Sequence, residues 1–230
     1  MEGELRELIN DPRFREYHRE SLQREFNTFD ILRYADYEIR HSNVLAWLLQ
    51  PAETHGIDSR FLQWFVDHLK EQFRAAKGEP LPTVNLEAAN VRVERELDYV
   101  DVTVFFKKER CLFAIENKTG PTTSDHFGQV KRYHETLRGK YKNHTVKSVL
   151  LTTWPAGDVD CPDIAQVGWK SVHQAIGSLH EDGEFRSDSV GAFSDSTVNC
   201  LKDNLVSRKT GTPWLCSTSI APYWRSSSDS

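Results

Sequence analysis

Around KGEPLPT, residues 77–83, the hydrophobic period of this chain changes from helical to alternating, and that change limits the fold more than any other feature. From Leu5 to about Leu49 apolar residues recur at three- and four-residue spacing, with no glycine between Gly3 and Gly56. This predicts a mostly helical N-terminal part, residues 1–77. Ser42 is expected to cap the helix that begins VLAWLL, because its hydroxyl can accept from first-turn amides, and Pro51 ends that run. A second helix is expected from about Ser59 to Ala76, with Phe61, Leu62, Phe65, Val66 and Leu69 on one core-facing stripe. After the turn, Val91 to Leu97 and Tyr99 to Phe106 read as strands, and Lys107–Arg110 turns the chain into a third strand, CLFAIENK. Helical spacing returns from Asp125 to about Leu137. VKSVLLTTW is a strand, AQVGW a short one, and Ser171 to Leu179 a helix.

The chain has 230 residues, enough for one sizeable core and too few for two independent enzyme domains. We read a single domain over residues 1–185, its sheet core over 85–180, followed by a Ser/Thr-rich segment, 186–230, of no evident period. Trp214, Tyr223 and Trp224 are unusual for a pure linker. No apolar run reaches the ~20 residues of a membrane span, and MEGELRELIND lacks the apolar stretch of a secretory signal, so a cytoplasmic location without membrane contact is expected. Cys111, Cys161, Cys200 and Cys216 are widely spaced with no CxxC pair, which fits reduced thiols better than a zinc site or a disulfide framework. A formal net charge of −5 argues against adhesion to nucleic acid over the whole surface, so any such contact must be local.

Residues two apart on a strand share a face, so Glu116 and Lys118 project together and Asn117 points away. One hairpin upstream Asp101 stands among Val100, Val102 and Val104, which are expected on the opposite face. A carboxylate on so apolar a strand needs a partner, and Lys118 or a metal ion would supply it. Two neighbouring carboxylates suit Mg²⁺, a hard cation that keeps several of its waters. Such an ion can polarise a phosphoryl oxygen and acidify a bound water, while a lysine orients that water and offsets growing charge.

VDVTV, IENK and a helix carrying QVKRY, in that order, resemble the core of PD-(D/E)XK nucleases. The resemblance implies an α/β fold of restriction-endonuclease type: a central mixed sheet flanked by helices, with an N-terminal helical layer. It implies Asp101, Glu116 and Lys118 as the catalytic set, joined by Gln129 and Tyr133, which match the Gln-x-x-x-Tyr helix of RecB-like members. YEIRHSNVLAWLLQPAETHG is similar to the N-terminal signature of a bacterial and phage subgroup, and by that likeness Glu38 would join Asp101 and Glu116 as a metal ligand. Mg²⁺, with Mn²⁺ able to substitute, is the implied cofactor, and DNA the implied substrate, in defence or in DNA repair and processing. The similarity covers roughly Asp36 to Trp169. The family's proline before the aspartate is absent, Val100 standing there, and LDYVD offers Asp98 as a second candidate acid.

A Glu-x-Lys by itself is more often a strand ion pair of little worth, and only its company points to catalysis. His41 is a candidate phosphate contact, although a histidine beside a helix is commonly structural. Lys131, Arg132, Arg138, Lys140, Lys142 and Lys147 face one acid, Glu135, and are the best local phosphate-tracking patch; a solvated helix face is the other reading. No groove-reading motif is evident. The choice of DNA or RNA stays open, as do an RNA-cleaving toxin, a silent binding or assembly module, a homo-oligomer and a protein partner in a larger assembly.

Overall fold

The structure, a computed structural model, describes residues 38–75, 80–121, 123–154 and 164–185. The helices expected before Glu38 lie outside the described residues, as do the Ser/Thr-rich segment and Cys161, Cys200 and Cys216. Two helices, α1 (Glu38–Leu49) and α2 (Arg60–Ala75), precede three strands, β1 (Val91–Leu97), β2 (Val100–Phe106) and β3 (Cys111–Pro121). Helix α3 (Ser124–Lys140), strands β4 (Thr145–Trp154) and β5 (Ile164–Gly168), and helix α4 (Trp169–Glu181) complete the order. The strands form one sheet in sequence order. β1, β2 and β3 pair antiparallel, whereas β3, β4 and β5 pair parallel. The fold is therefore α/β with a mixed five-stranded sheet, as the motif order implied.

Strand alternation divides the core. Val102, Val104, Phe106, Phe113, Ile115, Val149 and Leu151 pack with α1, α2 and α4, and α2 contributes Phe61, Leu62, Phe65, Val66, Leu69 and Phe73 from one stripe. Burying each such side chain is worth roughly 1.5–3 kcal/mol, so α2 is held by its stripe and not by helix propensity. On the other face α3 covers Phe105, Leu112, Ala114 and Val146 with Leu137, and Leu150 and Ile164 with Val130. Val100 was expected on the side of Val102 and Val104 but belongs to the α3-side cluster. It follows directly on Asp98 and Tyr99, whose φ angles of 52° and 69° turn the chain sharply before the strand alternation is established.

Ser42 is not a cap. It lies inside α1, where its hydroxyl donates to the Glu38 carbonyl at 2.9 Å, one turn back. Lys147, counted with the surface patch, is buried with its ammonium 5.1 Å from the centroid of Phe73, so the exposed patch is confined to α3 and the turn after it. The β1–β2 hairpin turns in two residues, Asp98 and Tyr99, both at positive φ. That geometry suits the twist of paired strands but favours Asn-Gly or Asp-Gly, and a side chain at the second position costs roughly 1–2 kcal/mol. β1 is an edge strand, and Gln50 Oε1 accepts from its Val93 amide at 2.9 Å, covering part of that edge.

After α1 the chain turns through buried His55, which accepts from the Ile57 amide at Nδ1 (3.1 Å) and lies 3.0 Å from the Gln50 carbonyl at Nε2. Burial holds its pKa below the ordinary 6.5, against the pull of the Gln50 carbonyl and of Glu53. The unfolded chain therefore binds this proton more readily than the folded one. The histidine's contribution is complete above pH 6.5 and is lost as pH falls below it. Urea midpoints at pH 5 and pH 7.5 should differ more in the wild type than in His55→Gln, and equal differences would contradict this.

Candidate active site

The end of β3 builds the site because its two faces do different work. Asn117, fully buried on the side of α1 and α4, donates through Nδ2 to the Glu38 carbonyl and to Ser42 Oγ, each at 3.0 Å. Its Oδ1 accepts from Trp169 Nε1 at 2.9 Å. These bonds fasten the first turn of α1 and the start of α4 to β3. Arg95 on β1 adds a second tie, its Nε donating to the Asp101 carbonyl at 2.7 Å and its Nη1 to the Ile39 carbonyl at 3.2 Å and to Asn43 Oδ1. Glu38 is thereby held where its side chain can reach the opposite face of the sheet.

On that face lie Asp101, Glu116 and Lys118. Beyond the last paired positions of β2 and β3, Val102 and Ile115, the Asn117 amide donates to Asp101 Oδ2 at 2.8 Å. Lys118 Nζ is 2.9 Å from Glu116 Oε1 and 3.5 Å from Glu38 Oε2. Gln129, from the first half of α3, donates through Nε2 to Glu116 Oε1 at 2.8 Å and to Tyr133 Oη at 2.9 Å. The helical i, i+4 spacing aims both side chains at the sheet. Glu116 is 4% exposed, and among the described residues its second oxygen, Oε2, is buried with no hydrogen-bond partner.

Burial raises the Glu116 carboxyl to about 7, with the Asp101 charge adding to it and Lys118 working against it. Burial also raises Asp101, opposed by the Asn117 amide and Lys118. Lys118 is pulled down by burial, but its hydrogen bond to Glu116 and the three carboxylates outweigh this and leave it above its ordinary value. Three carboxylates, Glu38, Asp101 and Glu116, face two cations, Lys118 and Arg95, an excess of one negative charge when all are ionised. A proton on Glu116 or a bound cation would relieve it.

Among the described residues no group of three His, Cys, Asp or Glu side chains is already gathered as a metal site. The geometry explains this: the Lys118 ammonium sits between Glu116 and Glu38. The donor set nevertheless fits Mg²⁺, which needs only one or two carboxylates, and Glu116 Oε2 is a buried oxygen without a hydrogen-bond partner among the described residues.

Of the other sequence candidates, Asp98 lies in the hairpin turn, ion-paired with Lys140 at 2.7 Å, and not beside Glu116. Lys140 is thus engaged, while Lys131, Arg132 and Arg138 are exposed on α3. His41 is buried, 3% exposed, its ring edge-on to Trp169 at 5.8 Å. Sequence reading missed Asn117, Trp169 and Arg95 as positioning groups. A polar residue at a core-facing strand position was the available signal for Asn117; nothing in the sequence marked Arg95.

Buried Glu116 and half-buried Asp101, with Lys118 adjoining, thus meet on the neighbouring strands β2 and β3, where the antiparallel part of the sheet joins the parallel part, and Gln129 and Tyr133 from the next helix brace them. The model of the PD-(D/E)XK nuclease superfamily matches residues 26–166, more than half of the chain, and the chain belongs to that superfamily. No curated protein and no solved structure matches it.

Between the ordinary carboxyl value of 4.5 and about 7, folded Glu116 binds a proton that the unfolded chain releases. Metal-free protein should therefore lose stability as pH rises through that window, by up to about 3 kcal/mol from this group. Glu116→Gln should flatten that slope and unfold at higher denaturant than the wild type at pH 8. A variant less stable than wild type at pH 8 would show that the ionised carboxylate holds the fold together.

Proposed function

We propose that this chain is a divalent-metal-dependent nuclease that hydrolyses phosphodiester bonds in DNA, with Asp101 and Glu116 holding Mg²⁺ and Glu38 completing the acidic set. The observation that carries the reading is the buried, unpartnered Oε2 of Glu116 on the same sheet face as Asp101 and Lys118. Mn²⁺ should substitute. A bound Mg²⁺ would supply a Lewis acid for a phosphoryl oxygen and lower the pKa of a water.

The chain's own residues do the rest. Gln129 spends its amide protons on Glu116 Oε1 and Tyr133 Oη, which fixes the carboxylate plane and leaves Oε2 for the cation. Lys118 neutralises the carboxylates in the metal-free protein; once relieved of that task, its ammonium can orient the attacking water and offset charge developing on the phosphorus oxygens. The Asn117 amide holds Asp101 from behind, and Asn117 Nδ2 holds the Glu38 backbone. Exposed Lys131, Arg132 and Arg138 on α3 are the proposed contacts to the flanking phosphates.

Residues 1–185 act as one domain in this reading, with 186–230 as an appended segment. No helix among the described residues is long and apolar enough to cross a membrane. The proposed setting of the activity is the cytoplasm, in defence or repair. The overall charge of −5 favours help from a protein partner or a second copy in reaching the substrate.

Supercoiled plasmid, linear duplex, single-stranded DNA and RNA, each incubated with Mg²⁺, Mn²⁺ or EDTA, test the proposal. Metal-dependent cutting of DNA is expected, with Lys118→Ala reducing it by roughly 100-fold or more while the circular dichroism spectrum is unchanged. Folding should survive because Glu116 can take a proton when its lysine is removed. Cutting that persists in Asp101→Ala, Glu116→Ala would overturn the assignment of the centre, and cutting confined to RNA would overturn the substrate.

A further inference from the structure

Among the described residues two large apolar side chains stand out in solvent, Tyr99 at 87% exposure and Ile39 at 48%. Single exposed apolar residues are ordinary on a protein surface. These two are set apart by position, because Ile39 follows Glu38 and Tyr99 precedes Asp101 by two residues. Two residues of chain span at most roughly 7 Å, so the Tyr99 backbone lies within that distance of the Asp101 backbone.

The tip that carries Tyr99 is held outward against local preference. Its φ of 69° belongs to the left-handed region, which glycine would occupy more cheaply in a two-residue turn. Asp98, the other turn residue, is bonded through both carboxylate oxygens to Lys140 Nζ, at 2.8 Å and 2.7 Å, which pins the tip to the last turn of α3. The same helix holds Gln129 against Glu116, so the tip and the site share one rigid support. On the other side Arg95 bonds both the Asp101 carbonyl and the Ile39 carbonyl, tying the second exposed residue to the same frame.

A solvent-facing aromatic ring on this turn, two residues from Asp101, offers a flat face to a nucleobase. With a net charge of −5 the chain has little general attraction for phosphates, and stacking is the contact that does not depend on it. Bases in an intact duplex have their faces covered by their neighbours. We propose that Tyr99 is a stacking platform for an unpaired base next to the scissile phosphate, so that the site takes nucleic acid as an open strand in preference to closed duplex. The proposal rests on the nuclease reading of the centre.

Fluorescence anisotropy on the full chain tests it, in the Lys118→Ala background with Mg²⁺ so that the probes survive. The probes are labelled oligothymidylate, an abasic strand of equal length and a blunt duplex. Oligothymidylate should bind more tightly than the duplex, and Tyr99→Ala should weaken it roughly tenfold while Tyr99→Phe keeps it. Binding of the abasic strand should be the same in all variants. Tyr99→Gly separates stacking from folding: it should weaken oligothymidylate as alanine does, yet unfold at the same or a higher urea concentration. Unchanged binding by Tyr99→Ala, equal losses on the abasic strand, or tighter binding of duplex would each overturn the proposal. The nuclease reading is judged separately, by whether the wild-type chain cleaves with metal at all.

Discussion

Asn117 joins the two halves of this molecule through one residue. Its side chain takes hydrogen bonds to α1 and α4 on one face of the sheet, while its backbone amide holds the Asp101 carboxylate. A buried amide is costly to leave unmatched, about 1–3 kcal/mol for each lost partner, so the arrangement has little tolerance for alternatives. The bonds from Asn117 to the Glu38 carbonyl and Ser42 hydroxyl fix the first turn of α1, which carries the Glu38 carboxylate to within 3.5 Å of Lys118.

The charges on the far face follow from that placement. Glu116 is buried because α3 must cover Leu112, Ala114 and Leu150 to close the core, and the same helix brings Gln129 to its carboxylate. Desolvation and the nearby Asp101 then raise Glu116 to about 7. A structural ion pair would not need such a position: Lys140 and Asp98 form one at the surface without that burial.

Much of this was legible in the sequence where a single period governs a segment. The alternation of VRVEREL and the stripe of α2 marked β1 and α2 closely, because each element buries one face against a common core. The shared sheet face of Glu116 and Lys118 followed from period two alone, whereas the bond from Gln129 to Glu116 became visible only in the structure. What failed was governed by contacts between distant residues. Ser42 has the chemistry of a cap, but its hydroxyl is used inside the helix and toward Asn117, 75 positions away. Val100 obeys the turn at Asp98–Tyr99 and not the strand that follows, and Lys147 finds its environment over Phe73 from α2. Arg95 carried no mark, since an arginine in an alternating edge strand reads as a solvent residue until the helix it bonds is in place.

The central claim is that Asp101 and Glu116 form a divalent cation site, and isothermal titration of the full chain with Mn²⁺ and then Mg²⁺ tests it most directly. The account predicts one saturable site in the wild type, with a rise in unfolding temperature on saturation, and loss of both in Asp101→Asn and in Glu116→Gln variants that remain folded. Titration curves and thermal shifts that are the same in the wild type and the two variants would contradict it.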